Sequence, residues 1–491
     1  MTPLDLAVIA AYFIATVGLG LWLSRDQRGS GDYFLGARDL PAWAVMLSIV
    51  ATETSAVTVI STPALGARGD LTFLQLPIGY LIGRLGVSLW LLPGYFRGDQ
   101  ETAYTRLETR FGPATRRALS LVFLITRFLG DGVRIFAGAI PLALLTDWSI
   151  PSAIVVMSVV TIGYTWFGGI KAVIWADVIQ LVVYLAGGIA ALWIASSLAG
   201  GFGETLTLAG EAGKLRVFNP SFSFTAPYTL LGGLLGGALL SAASHGTDHL
   251  IVQRLLATRS LRDARVALIG SGVVVIAQFL LFLLVGTALW AAQLAPETTP
   301  SNEIFGRFVL SHLPSGLRGL VIAGILAAAM STISSSINAL ASSLTHDWYA
   351  SLTGERDPAK LLRVGRAVSL LWGTLLTFGA LGFHAFTTGN DTPAVVLALS
   401  IASVTYGALL GAYILAGISR RVTGPDVILA AVVTVVIMLV TVFSARLATA
   451  GVTILTPLGT LAWPWYVPIG TTIMVGVALV ASRLRGGTAS A

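Results

Sequence analysis

LAAAMSTISSSINALASSLTHD, residues 326–347, is apolar enough and long enough to cross a bilayer, yet a run of hydroxyls passes through its middle. Ala328, Ser331, Ser334 (with Ser335), Asn338 and Ser342 recur at helical spacing and form one polar stripe. A single hydroxyl can bond back to the carbonyl four residues earlier. A whole stripe of uncharged oxygens at membrane depth needs partners on other helices. The rest of the chain can be searched for them.

Composition fixes the class. Of 491 residues, 55% are hydrophobic and 11% charged, against about 25% charged in soluble domains. Mean hydropathy is +0.84. The chain reads as an all-α polytopic membrane protein in contact with a lipid bilayer. The opening MTPLDLAVIAAYFIATVGLGLWLSRD has no basic residue ahead of its apolar run, which argues for an uncleaved first span rather than a secretory signal. The absence of cysteine excludes disulfides, a thiol nucleophile and Cys-based metal sites. The net charge of +7 fits basic cytoplasmic loops, with no nucleic-acid partner implied.

A window of about 20 residues picks out thirteen candidate spans, near 4–24, 41–67, 71–96, 117–146, 149–168, 171–199, 226–256, 264–293, 316–349, 361–384, 391–419, 426–447 and 463–484. With the N-terminus outside and the C-terminus inside, 21 of the 30 Lys and Arg fall on or near the cytoplasmic side, 6 on or near the outside, and 3 (Arg84, Arg127 and Arg134) well within spans. The opposite orientation would invert that bias. The expected location is the plasma (cytoplasmic) membrane, with no appended soluble domain.

Two spans read as interrupted. Span 41–67 contains SIVATETSAV, with Glu53 near mid-membrane, and span 226–256 contains GGLLGGALLSAASHGTDHL. Broken helices in corresponding places of two halves point to a midplane binding site in an inverted-repeat carrier. A five-span repeat pairs 41–199 with 226–419, leaving 1–40 as an extra span and loop and 420–491 as two further spans. Unwound backbone frees carbonyls, and hard cations choose oxygen ligands. The stripe therefore has two readings: hydroxyls that hold a small cation such as sodium, or small residues that let helices pack closely.

Four stretches then resemble the sodium/solute symporter family: GSGDYFLGARDLPAW (29–43), GIKAVIWADVIQ (169–180), DHLIVQRLLATRSLRDAR (248–265) and AAAMSTISSSINALASSLTHDWY (327–349). The resemblance implies a LeuT-type five-plus-five inverted repeat with broken second and seventh spans. It also implies a sodium site built from the carbonyls of Ala51, Thr54 and Ala328 and the hydroxyls of Ser331 and Thr332. A second sodium site found in some members would fall on Asp177, Ser334 and Ser335, with Ser331 shared. Asp177 by itself reads either as an ion ligand or as a solvated carboxylate paired with Lys171.

For the solute, the resemblance directs attention to Glu53, Ser55 and Thr58 at the first break and Ser241 and Ser244 at the second. The residues that galactose carriers use are largely missing. Arg134 could attract a carboxylate or simply pair with Asp131 three residues earlier. His245 and His249 are four apart, but no third metal ligand accompanies them; a place for His245 in the solute pocket or the helix break fits better.

The sequence shows no nucleophile–base pair, no nucleotide fingerprint and no signalling extension. An enzyme and an ATP-driven pump are thereby disfavoured. The expectation is sodium-coupled symport of a small polar solute — sugar acid, amino acid, monocarboxylate or sugar — with a sensor or passive channel on the same fold as the alternative.

Overall fold

The computed structural model describes residues 2–23, 27, 29–98, 100–146, 148–387, 394–449 and 453–488, so the first residues of the predicted window 391–419 lie outside it. Among the described residues the regular structure is helical, apart from one isolated bridge between Leu40 and Thr258. Among them nine helices are long and apolar enough to cross a membrane, ten if one bent pair counts as a span.

The first helix, α1, is Pro3–Leu23. The bent pair follows: α2 (Ala42–Glu53) and α3 (Ala56–Arg68), with extended backbone at Thr54 and Ser55 between them. Next come α4 (Gln75–Gly86), α5 (Pro113–Thr146) and α6 (Ile150–Leu198). At 1.5 Å per residue, 49 helical residues would reach about 74 Å, over twice the roughly 30 Å hydrocarbon thickness. The chain turns at Gly169 (φ 56°, ψ −154°), where a Cβ would sit 2.4 Å from the Tyr33 carbonyl oxygen. Two predicted spans are thus the two legs of α6.

A second interrupted pair is α7 (Gly237–Gly246) and α8 (His249–Leu256). The glycine pairs preceding this break serve packing. A Cβ at Gly237 would lie 2.5 Å from the Leu76 carbonyl oxygen, and one at Gly83 would lie 2.2 Å from that of Ala238. The remaining long helices are α9 (Leu261–Ala291), α10 (Leu317–Ser343), α11 (Pro358–Thr387), α12 (Ala394–Ile418), α13 (Gly424–Thr449) and α14 (Tyr466–Thr488). Helix α5 carries Arg116, Arg117, Arg127, Asp131 and Arg134 along its length.

The stripe-bearing helix α10 is the centre of the bundle. Its most apolar 18-residue stretch is 94% buried, against 22% for that of α1. Helix α10 packs against α1, α2, α3, α5, α6, α8 and α11.

Candidate functional site

Each half of the site is a helix end at membrane depth. At the first break, Thr54 and Ser55 adopt extended φ/ψ, and the Thr58 amide bonds to Ser55 O at 2.9 Å rather than continuing the ladder. The carbonyls of Ala51 and Thr54 therefore leave the helical ladder and become available acceptors. The Thr54 hydroxyl is already engaged: it donates to Val50 O at 2.9 Å and accepts from Gln278 Nε2 at 2.6 Å. Helix α10 packs against both halves of this break, and its Ala328, Ser331 and Thr332 are buried. Thr332 Oγ1 donates to Ala328 O at 3.3 Å.

The stripe's other partners are mostly buried charges. Ser331 Oγ donates to Asp177 Oδ1 at 2.6 Å. Asp177 is fully buried; its Oδ2 accepts from Ser48 Oγ at 2.5 Å and from Arg254 Nη2 at 3.1 Å. The expectation of a solvated Asp177 beside Lys171 is corrected: α6 turns this residue inward, where Arg254 neutralises it. Arg254, grouped by sequence with the cytoplasmic cations, is itself fully buried and also donates to Ser335. Ser335 further pairs with Thr52 at 3.2 Å. Farther along α10, Gln253 Nε2 donates to Asn338 Oδ1 at 2.7 Å and Ser342 pairs with His249 at 3.0 Å.

A cavity of about 670 Å³ runs from the first break to the face carrying the exposed residues Arg68, Thr225, Ser301 and Thr460. All seven expected solute residues line it: Glu53, Ser55 and Thr58 from the first break, Arg134 from α5, and Ser241, Ser244 and His245 from α7. Glu53 is ion-paired with the buried Arg84 and lies 3.6 Å from His245 Nε2. His245 Nδ1 meets Ser244 Oγ at 2.8 Å, whereas His249, beyond the break, accepts at Nδ1 from the Ala103 amide at 3.3 Å. The two histidines face different neighbourhoods.

Arg134 keeps both of its sequence readings. Its Nη1 donates to Asp131 Oδ1 at 3.2 Å, yet the side chain remains 25% exposed at the cavity wall. Arg127, also on the wall, is held by Asp248 at 2.6 Å and by the Tyr406 hydroxyl at 3.0 Å. Opposite the mouth, Asp347 accepts from Thr102 at 2.5 Å, Arg116 at 2.7 Å and Ser343 at 2.7 Å, tying loop, α5 and α10 together.

Sequence reading did not pair Arg84, Arg127 or Arg254. A signal existed: an arginine inside a span is costly and needs a partner, and Glu53, Asp177 and Asp248 were the acids at hand. The cavity ends at the broken helices, reaches solvent on one face and is tied shut on the other.

The chain belongs to the sodium:solute symporter family, whose profile matches residues 33–386. It is 31% identical over 430 residues to the human sodium/iodide cotransporter, covering 84% of this chain and 65% of that longer protein. It is 31% identical over 405 residues to the sodium/sialic acid symporter of Proteus mirabilis, covering 77% of this chain and 78% of the relative. A solved structure of a Na+-coupled sialic acid symporter in a substrate-bound outward-open state superposes with a TM-score of 0.84 at 25% identity, covering 98% of each chain.

Proposed function

We propose that this chain is a sodium-coupled symporter that takes up a small organic anion bearing a carboxylate. The observation that carries the solute class is the charge of the cavity. Arg68, Arg127 and Arg134 lie on its wall against Glu53, whose charge Arg84 already balances. Arg84, Arg127 and Arg134 pair with Glu53, Asp248 and Asp131, and the charge left without a carboxylate is that of Arg68 at the mouth, which donates to the carbonyls of Ala295, Pro296 and Thr299. Arg134, partly exposed, is the group that meets the solute's carboxylate; a planar guanidinium suits that role. Sialic acid and monocarboxylate carriers among the relatives are consistent with this choice.

In this reading thirteen spans form the five-plus-five repeat 41–199 and 226–419, with 1–40 and 420–491 outside it, the N-terminus outside and the cavity facing out. Sodium binds the carbonyls of Ala51, Thr54 and Ala328 with the hydroxyls of Ser331 and Thr332, pinning the broken helix to α10. A second sodium uses Asp177, Ser334 and Ser335; since Arg254 already holds Asp177 Oδ2 and Ser335, it must approach on the Oδ1 side or displace the guanidinium. Glu53, Ser55, Thr58, Ser241, Ser244 and His245 shape the solute pocket. Solute binding lets the base open while the mouth closes. Each charge carried fully across draws about 2.3 kcal/mol per 100 mV from the membrane potential.

The test is uptake into proteoliposomes of pyruvate, gluconate, N-acetylneuraminate, proline and galactose, driven by inward sodium or by potassium instead. At least one acid should accumulate with sodium only, and Arg134→Gln should abolish that uptake. Sodium-independent uptake, or galactose carried as well as the acids, overturns the proposal.

A further inference from the structure

Beside the polar stripe of α10 lies a further hydroxyl that neither sodium set uses. Ser336, fully buried, donates its hydroxyl to Asp131 Oδ2 at 2.5 Å. Asp131, buried on α5, gives its other oxygen to Arg134 at 3.2 Å and to Arg127 at 3.5 Å. Arg127 is independently fixed by Asp248 through two bonds, at 2.6 and 3.0 Å, and by Tyr406. Arg134 is the freer of the two, and Asp131 is the carboxylate that holds it back from the cavity.

We infer that Asp131 is a positioning residue that links the helix bearing the sodium ligands to the cation that meets the solute. The inference rests on the proposed sodium site at Ser331 and Thr332. Ser336 lies one turn beyond Thr332 on the same rigid helix, so a shift of α10 on sodium binding moves the hydroxyl that Asp131 accepts. A carboxylate has a limited set of acceptor directions. Strengthening the Ser336 bond draws Asp131 towards α10 and loosens Arg134, which then turns to an anion in the cavity. Coupling of this kind is reciprocal: an anion that takes Arg134 from Asp131 also stabilises the sodium-bound position of α10.

The experiment needs no knowledge of the solute. The chain has no cysteine, so a single Ala137→Cys, on the cavity wall three residues from Arg134, gives one labelling site. The full chain in nanodiscs is treated with a negatively and a positively charged methanethiosulfonate, with and without sodium, and the ratio of the two rates reads how freely Arg134 presents its charge. In the parent protein sodium should raise the anionic-to-cationic ratio several-fold. Ser336→Ala should abolish that rise while keeping the sodium-dependent thermal shift, and Asp131→Asn should give the raised ratio without sodium. A Ser336→Ala protein that keeps the full sodium response, or an Asp131→Asn protein with the parent's sodium-free ratio, overturns the inference alone. A parent protein with no sodium-dependent thermal shift removes the sodium site and the inference together.

Discussion

The two helix breaks look alike in sequence, each a short polar interruption of an apolar span, but they are built on opposite plans. At the second break the backbone is closed off from within. The Asp248 side chain caps α8 by accepting from the Leu250 amide at 2.9 Å, the Thr247 hydroxyl returns to Ala243 O at 2.8 Å, and Arg127 and Tyr406 take the remaining carboxylate oxygen. At the first break Ser55 makes no side-chain cap, and the carbonyls of Ala51 and Thr54 point out of the ladder. An orphaned carbonyl in a membrane interior is unfavourable unless something polar meets it. One break is a satisfied joint; the other leaves its carbonyls open.

If that contrast is right, the second joint should fail hardest when cut. Asp248→Ala removes the cap and strands Arg127, and losing one partner of a buried pair typically costs about 3–5 kcal/mol. The purified protein should show a strongly lowered thermal midpoint or no folded yield, with or without sodium. A midpoint within a degree or two of the parent would mean that the joint is not built as described.

Glu53→Gln tests the corresponding acid at the first break. It also strands an arginine, Arg84, but Glu53 keeps 17% of its side chain exposed to the cavity and water can reach the pair. The expected loss is smaller, about 1–3 kcal/mol, read as a thermal midpoint between those of the parent and Asp248→Ala. A larger loss than at Asp248 would reverse the ranking of the two breaks.

Much of this was legible in the sequence because helix spacing survives into three dimensions. The stripe of α10 declared a polar face, and SIVATETSAV and SHGTDH declared interruptions. The cavity gathers Glu53, Thr58, Arg134 and His245 from three separate stretches of the sequence. What stayed hidden was pairing between distant segments. Nothing in the neighbourhood of Arg254 says that α8 lies inside the bundle, so the same residue reads as one of several cations near a span end. Asp177 had Lys171 as a local candidate, and only the turn at Gly169 and the packing of α6 on α2 show why Arg254 wins. Likewise the serines of α10 announced oxygens without saying that Ser336 serves Asp131 rather than an ion.

At the open break the expected signature is a change in sodium binding without a change in fold. Ser331→Ala and Thr332→Ala each remove one oxygen and add no bulk. A lost ligand to a charged group is worth about 1.5–3 kcal/mol, so half-saturation by sodium should rise by about tenfold or more. The sodium-free thermal midpoint should stay near the parent's in Thr332→Ala, whereas Ser331→Ala also takes the donor from the buried Asp177 Oδ1 and should lower it. Unchanged sodium dependence in both variants would remove the cation from this break and return the stripe to plain helix packing.

The smallest and most discriminating effect concerns the second sodium set. Asp177→Asn is a poor probe, because it strands the fully buried Arg254 and so mixes folding with binding. Ser334→Ala is cleaner: its hydroxyl donates to Ser331 O at 3.1 Å, and the Asp177–Arg254 pair is left intact. With two ions per cycle, parent uptake should depend on sodium more steeply than a hyperbola, and an anion of charge −1 should still carry net positive charge inward. Ser334→Ala should bring the sodium Hill coefficient towards one while maximal uptake at saturating sodium changes little. Hyperbolic sodium dependence in the parent, with a one-to-one sodium-to-solute flux ratio that Ser334→Ala leaves unaltered, would show that Arg254 is the only cation the second set ever holds.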